Sequence, residues 1–158
     1  MQNFFDMNKN TLATLALIAI ISYGCSKYDD GPAFSLRTKK GRLSGEWELD
    51  KINGQDPDDY YSNSWSVYNN VEITWTFERD GDFEACMDAE VQYGYSNYSY
   101  SYSYSDCDDG DWEFEDNGEE LELQMNGSSY NQTYEINRLS SNELWLEMGS
   151  DEWEFKKN

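Results

Sequence analysis

Two of the three cysteines are spaced so that they could form a covalent bond. Cys86 and Cys107 lie on either side of Ser96 and Asn97, each about ten residues from that centre. A β-hairpin that turns at Ser96 and Asn97 would place the two thiols directly opposite each other. In an oxidising compartment the pair would form a disulfide, and closing a loop of this size stabilises a fold by roughly 3 kcal/mol. We predict this disulfide, and the alternative is two reduced, buried thiols.

The third cysteine, Cys25, follows the apolar residues 12–21 and is directly preceded by Gly24. The apolar segment is well short of the roughly 20 residues that a membrane-spanning helix needs. An apolar run of this length that ends at a small residue and a cysteine is typical of a bacterial lipoprotein signal peptide. We therefore predict a signal peptide at residues 1–24 and a membrane anchor formed by lipidation of Cys25. The alternative is an ordinary cysteine at the end of a secretory signal.

The residues after Cys25 indicate the cellular location of such a lipoprotein. Residues 26–30 resemble the export tag, a lysine followed by acids, of some Gram-negative lipoproteins. This resemblance implies an outer-membrane lipoprotein, and whether it faces the periplasm or the cell surface stays open.

Catalysis and metal binding are limited by the side chains that the sequence contains. The chain has 32 acidic residues, 11 basic residues and no histidine, and its net charge is -21. Without histidine, hydroxyl and thiol nucleophiles lack their commonest general base, and histidine-ligated metal sites are excluded. Paired carboxylates remain, but no pair stands out among so many. We expect no catalytic residue, metal or cofactor, and the negative charge opposes binding of nucleic acid.

Two acidic segments have some of the composition of a calcium loop. An EF-hand needs an acid or asparagine at its fifth position and glycine at its sixth, whereas residues 106–111 have Gly110 fifth and Asp111 sixth. We predict a solvated acidic turn there, with a Ca²⁺ site as the alternative. The same two interpretations apply to Asp56, Asp58 and Asp59.

Tyrosine and serine alternate strictly through residues 98–105. Because side chains alternate between the two faces of a strand, one face would carry four tyrosines. These are Tyr98, Tyr100, Tyr102 and Tyr104. Tyrosine offers rigid contact area and a hydroxyl group at low cost in entropy, so this face could bind a glycan or a protein. The alternative is a low-complexity hairpin that extends the sheet, its tyrosines half-packed.

The elements that would position these residues are strands. After residue 42, apolar and polar residues alternate at period two, as in Val71, Ile73, Trp75 and Phe77. Turn signals separate eight or nine such segments, and one long irregular connection covers residues 53–70. This pattern predicts an all-β, antiparallel, up-and-down barrel, since closing the sheet removes its edges. The predicted inward residues are Trp47, Leu49, Val71, Ile73, Trp75, Phe77, Phe83, Trp112, Phe114, Leu121, Leu123, Tyr134, Ile136, Leu144, Leu146, Trp153 and Phe155.

The chain is long enough for one such domain, which we place at residues 43–158. Residues 25–42 would then be a tether between the anchor and the barrel. The tether carries a basic cluster, which is a solvated linker or lies near lipid headgroups. The cluster consists of Arg37, Lys39, Lys40 and Arg42.

The first strand carries a short motif, Gly45-Glu46-Trp47, that resembles the Gly-x-Trp opening of lipocalins. The layout is similar to the lipocalin-like lipoproteins of bacterial cell envelopes. The resemblance implies that Trp47 closes one end of the barrel and that an arginine packs across its ring. Arg138 is our candidate, because it is in phase with Tyr134 and Ile136.

Taken together, these features predict an envelope lipoprotein that is not an enzyme and has a binding or structural role. Because so many inward residues are bulky, we favour a filled barrel whose outer surface binds a protein or a glycan. The alternative is a small apolar ligand in the barrel mouth, with Tyr60, Tyr61 and Trp65 as a flap. An interior cavity above about 300 Å³ would favour that alternative.

Overall fold

The computed structural model describes residues 38–62, 66–95 and 98–158, apart from the side chains of Tyr95 and Tyr98. Cys25, Arg37 and Trp65 lie outside the described residues. The strands are β1 (Gly45–Ile52), β2 (Ser66–Phe77), β3 (Asp82–Tyr95), β4 (Tyr98–Glu115), β5 (Glu120–Met125), β6 (Gln132–Leu139), β7 (Glu143–Met148) and β8 (Asp151–Lys157). Two five-residue helices, α1 (Lys39–Leu43) and α2 (Pro57–Tyr61), and a 3₁₀ turn at Asp116–Gly118 complete the described part.

The strands form a closed barrel in which each pairs antiparallel with the next and β8 pairs with β1. This confirms the predicted all-β, up-and-down architecture with eight strands. The turn between β4 and β5 shows why an Asn-Gly pair in the sequence predicts a hairpin. Asn117 and Gly118 both adopt positive φ in this turn, 58° and 82°. Positive φ at these positions is what an Asn-Gly pair supplies at low cost.

Aromatic rings pack against one another in the barrel interior, and Trp75 lies among them. Its ring contacts those of Phe83, Tyr134 and Phe155, with centroids 5.4, 5.6 and 4.7 Å away. Most of the predicted inward residues are buried, whereas Val71, Phe114 and Trp153 are half-buried. Five further hydrophobic residues of the described core are buried but were not predicted: Leu43, Ile52, Ala89, Val91 and Leu139. Each large side chain buried in this way contributes roughly 1.5 to 3 kcal/mol before the loss of chain entropy.

The barrel has two different ends, because alternate connections of an up-and-down barrel lie at the same end. We call the end with the turns at residues 78–81, 116–119 and 140–142 the closed end. It also contains the start of β1, the end of β8 and α1. The connections from β1 to β2, β3 to β4, β5 to β6 and β7 to β8 leave from the opposite end, which we call the open end.

The hairpin of β3 and β4 is longer than the barrel wall. β5 pairs with β4 only from Gly110 onward, opposite Met125. Among the residues that the structure describes, residues 98–109 therefore pair only with β3, on one side. We call residues 86–95 and 98–107 the extended hairpin. It confirms the prediction that this segment forms a hairpin that extends the sheet.

Two expectations about connections were wrong. The acidic residues 106–111 are not a turn but lie within β4, because each pairs with a residue of β3 between Asp82 and Met87. The connection at residues 53–70 is not irregular throughout, since it contains α2 and the first residues of β2.

Candidate functional site

The closed end is covered by α1, which the sequence analysis had assigned to the tether and the first barrel residue. The Thr38 hydroxyl accepts a hydrogen bond from the Gly41 N–H at 3.1 Å and caps the start of the helix. Leu43 is fully buried, and its carbonyl accepts a 2.6 Å hydrogen bond from the Trp47 indole N–H. Trp47 is itself fully buried and therefore lies at the closed end beneath α1, as the resemblance implied.

The cation on Trp47 is Lys157, so the choice of Arg138 was wrong. The Lys157 ammonium lies 4.6 Å from the centroid of the Trp47 ring, and it also donates to the carbonyls of Arg42 and Ser44 at 2.7 and 2.6 Å. Gly45 leaves room for the Lys157 side chain, because a Cβ at this position would lie only 2.9 Å from Lys157 Cε. The Gly45 backbone also has a positive φ of 124°, which favours glycine.

A register shift explains the error. A bulge separates Ile136 from Arg138 in the pairing of β6 with β7, so the residue that follows Ile136 into the core is Leu139. The Arg138 guanidinium lies 5.0 Å from the centroid of the Trp145 ring and pairs with Glu143 at 2.9 Å.

Three residues of the basic cluster bind the closed end. Lys39 donates to the carbonyls of Asn117 and Gly118, both at 3.1 Å. Lys40 lies 5.2 Å from the centroid of the Trp112 ring, and Arg42 donates to the Leu139 carbonyl at 3.3 Å. These contacts join distant parts of the chain, and nothing in the local sequence indicated them. Lys39, Lys40 and Arg42 therefore fasten α1 to the barrel, a role that the linker interpretation missed.

Three segments without any charged residue adjoin the open end of this acidic chain: one begins after Asp59 in the connection from β1 to β2, and the other two include the β3–β4 and β5–β6 connections. These segments are residues 60–71, 91–105 and 123–134. They contain eleven of the chain's thirteen tyrosines, and the other two are Tyr23 and Tyr28. The remaining residues of the three segments are largely serine, asparagine and glutamine. We call these three segments the tyrosine-rich rim.

On the hairpin side of the rim, tyrosine rings stack on one another. The ring of Tyr93 is stacked with the rings of Tyr100 and Tyr102, at centroid distances of 5.3 and 6.1 Å. Tyr102 pairs with the buried Val91 and Tyr104 with the buried Ala89, so the tyrosines share the face of the sheet that continues the barrel interior. This confirms the predicted aromatic face for Tyr100, Tyr102 and Tyr104. The side chain of Tyr98 lies outside the described part.

These tyrosines remain open to solvent. Tyr100 is 64% exposed, Tyr102 43% and Tyr104 36%. A hydrogen bond with Tyr93 raises the pKa of Tyr102. The Tyr104 hydroxyl donates to the Asp106 carboxylate at 3.2 Å, which raises the pKa of Tyr104. Both phenols stay protonated at neutral pH, and their oxygens can accept hydrogen bonds from a ligand.

On the other side of the rim, α2 is held against β2. The Asp58 carboxylate accepts hydrogen bonds from the backbone N–H groups of Asn70 and Val71, at 3.2 and 2.7 Å. The rings of Tyr61 and Tyr68 lie 6.0 Å apart, and those of Tyr60 and Tyr61 lie 5.3 Å apart. Tyr60 and Tyr61 therefore pack beside Tyr68 of β2, and their role as a flap stays a prediction. The Asp58 carboxylate thus ties α2 to β2 at the bulge between Asn69 and Glu72, where the pairing of β2 with β3 shifts register.

The mouth of the barrel is continuous with its aromatic core. Tyr134 contacts Trp75 on the inside and Trp153 at 5.5 Å, and its hydroxyl donates to Gln132 at 2.7 Å. Burial raises the pKa of Tyr134 to about 12, and the neighbouring Tyr61 adds to the effect. The described side chains thus pack from the mouth to Trp75.

The outer wall of the barrel has grooves lined by polar side chains. One of about 350 Å³ lies between α2, β1 and Lys156, and another of about 390 Å³ is lined by five carboxylates and four other residues. These carboxylates are Glu78, Asp82, Glu84, Asp109 and Asp111. Both grooves are lined mainly by outward-facing side chains, so neither is the interior cavity that an apolar ligand would need.

Residues 38–62, 66–95 and 98–158 show neither a cluster of metal ligands nor a membrane-spanning helix. In these ranges no three acidic or cysteine side chains are grouped so that they could hold a metal ion. In the same ranges no helix has the length and apolarity needed to cross a bilayer.

Comparison with known proteins gives fold likeness only. No protein-family model and no curated protein matches the chain. A lipocalin-like protein from Bacteroides uniformis is 18% identical, with a TM-score of 0.47 over 75% of this chain and 100% of that one. An uncharacterized protein from Bacteroides eggerthii is 15% identical, with a TM-score of 0.47 over 73% of this chain and 99% of that one. The chain is a lipocalin-like barrel, as its closed eight-stranded topology shows.

Proposed function

We propose that this chain is a lipid-anchored lipoprotein of the bacterial envelope that binds a neutral glycan at its open end and is not an enzyme. The observation that carries the proposal is the tyrosine-rich rim, an uncharged surface on a chain of net charge -21. Tyrosine, serine and asparagine are the residues that adaptable recognition surfaces use, because they combine rigid rings with small hydrogen-bonding groups.

Charge determines which ligands suit this surface. Acidic residues flank each uncharged segment, as Glu90 and Asp106 do for residues 91–105. An anionic ligand would be repelled by the whole chain, whereas a neutral sugar would not. The apolar face of a sugar ring can lie on an exposed ring such as Tyr100, and its hydroxyls can bond to phenol, serine and asparagine groups.

The packing of aromatic rings in the interior supports a ligand on the surface and argues against an apolar ligand inside the barrel. Small-molecule sites are concave cavities of roughly 300 to 1,000 Å³. Here Trp75, Tyr134 and Trp153 are in ring contact from the core to the mouth. A ligand in the interior would have to displace these rings.

Isothermal titration with neutral hexasaccharides of different linkage tests the ligand class. We expect at least one to bind, and we expect Tyr100→Ala and Tyr102→Ala to weaken its binding at least about tenfold, because tyrosines at the centre of a contact dominate its affinity. Trp145→Ala is the matched control, since Trp145 is an aromatic residue that contacts Arg138 outside the rim. Binding of acidic but not neutral hexasaccharides, or equal binding by the two tyrosine variants and the wild type, would contradict the proposal.

The anchor and the location need a separate experiment. Cells that express the chain are labelled with radioactive palmitate and their outer membranes are isolated. We expect label on the wild type in that fraction and none on Cys25→Ala. Equal labelling of both proteins would show that Cys25 is not the lipidated residue.

A further inference from the structure

The extended hairpin has a free edge. Residues 98–109 of β4 pair with β3 on one side, and on the other side no strand among residues 38–62, 66–95 and 98–158 pairs with them. The first contact on that side is at Asp109, whose carbonyl accepts a hydrogen bond from the Asn126 N–H at 2.8 Å. An edge of this length is a template for pairing with another strand.

The backbone N–H and C=O groups that point outward from this free edge are those of the serines of β4. The Cα atoms of Cys86 and Cys107 are 4.1 Å apart, the close spacing of a pair that is not joined by ladder hydrogen bonds. Because the register is continuous, every second residue before Cys107 also points its N–H and C=O away from β3. These residues are Ser99, Ser101, Ser103 and Ser105.

The edge lacks the features that normally prevent pairing. Natural edge strands carry charged side chains, proline or bulges, and residues 98–105 contain no charge or proline and pair in continuous register. Elsewhere the high negative charge opposes close approach of two copies, but two such edges bring no like charges opposite each other.

We propose that a second copy of this chain pairs with the free edge, β4 against β4, antiparallel and about a two-fold axis near Tyr102. Alternation of tyrosine and serine makes the strand self-complementary, because tyrosine meets tyrosine and serine meets serine on either side of that axis. Roughly eight ladder hydrogen bonds form between the serine backbones. The pairing ends before Asp109, where Asn126 already occupies the edge.

This arrangement joins the tyrosine faces of two copies into one surface, because cross-strand neighbours carry their side chains on the same face. Pairing uses the strand edge and leaves the rings of Tyr100 and Tyr102 uncovered. The dimer therefore does not depend on the proposed ligand, and the two proposals can fail separately.

Sedimentation velocity of the full chain tests the dimer, with Cys25→Ser in every protein to prevent unrelated cross-links. We expect the wild type to have twice the monomer mass and the dimer to strengthen with added salt, which screens the negative charges. Ser103→Pro removes an edge N–H without removing a bond to β3, and we expect it to be monomeric. Ser103→Ala keeps the N–H and should remain dimeric.

Cross-linking supplies a second readout that does not depend on the proline variant. A cysteine at the two-fold axis, Tyr102→Cys, should oxidise to a covalent dimer, whereas Ser150→Cys in the turn before β8 should not. A monomeric wild type at millimolar concentration in about 0.5 M salt would overturn the proposal. A Ser103→Pro protein as dimeric as Ser103→Ala, or a wild type that forms open-ended oligomers, would overturn it as well.

Discussion

Lys157 lies across the ring of Trp47 at the closed end, with its ammonium 4.6 Å from the ring centroid. The same ammonium binds the carbonyls of Arg42 and Ser44, which end α1. One side chain near the end of the described chain therefore holds the first helix, the first strand and the last strand together. The closed end is therefore joined by a cation–π contact and two hydrogen bonds of a single lysine.

Replacing Lys157 should destabilise the closed end of the barrel. Lys157→Met removes a cation from an aromatic ring and two charge-assisted hydrogen bonds, and we expect the free energy of unfolding to fall by about 2 to 4 kcal/mol. Lys156→Met is the control, because Lys156 is an exposed residue whose pair with Asp50 is screened by solvent and contributes little to stability. Urea unfolding followed by tryptophan fluorescence compares the two. Equal losses would contradict the special role of Lys157.

Gly110 marks the place where β5 joins β4, and it should tolerate no side chain. A Cβ at Gly110 would collide with the backbone of Gln124, whereas a Cβ at Gly94 meets nothing within 4 Å. We expect Gly110→Ala to cost at least about 2 kcal/mol, because backbone atoms cannot move aside as a flexible side chain can. Gly94→Ala should change stability by no more than about 0.5 kcal/mol. Thermal unfolding followed by circular dichroism measures both, and a stable Gly110→Ala protein would disprove the close approach.

The disulfide should stabilise the extended hairpin more than the barrel. Cys86 and Cys107 are bonded directly across β3 and β4, at the base of the hairpin. We expect the double variant Cys86→Ala/Cys107→Ala to lose roughly 3 kcal/mol, because the bond restricts the unfolded chain. Amide hydrogen exchange should accelerate more in residues 87–95 and 98–106 than in β7 and β8. Uniform acceleration across all strands would contradict this local effect.

Stability should fall in alkaline solution because of Tyr134. Burial raises the pKa of Tyr134 from 10.0 to about 12, so the folded protein keeps a proton that the unfolded chain loses. The stabilisation is complete below pH 10 and is lost as the pH rises toward 12, by up to about 2 kcal/mol. Denaturant unfolding between these pH values should show a shallower decline for Tyr134→Phe. Identical declines for the variant and the wild type would argue against a buried, protonated phenol.

The sequence predicts the barrel well because its signals are local. Alternation through Val71 and Phe77 and the Asn117-Gly118 turn each specify their own conformation, and antiparallel hairpins then bring neighbouring strands together. The pairing of Cys86 with Cys107 could be predicted for the same reason, since only a hairpin separates them.

Features that depend on distant contacts or a change of register could not be predicted in this way. The bulge before Arg138 reverses the phase of β6 and moves this residue to Trp145. Lys39 reaches carbonyls 78 and 79 residues away, which no local pattern encodes. The tyrosine-rich rim could be predicted in part. Each uncharged segment is visible in the sequence, but their position at the same end of the barrel follows only from the strand topology.

The central claim is that the uncharged tyrosine-rich rim binds its ligand without ion pairs. The most direct test is to titrate the protein, at two salt concentrations, with a neutral hexasaccharide that it binds. We expect the dissociation constant to stay the same between about 0.05 and 0.5 M salt, because no charged group takes part. We also expect binding to be lost in the double variant Tyr100→Ala/Tyr102→Ala. Affinity that falls steeply with salt, or full affinity in the double variant, would contradict the claim.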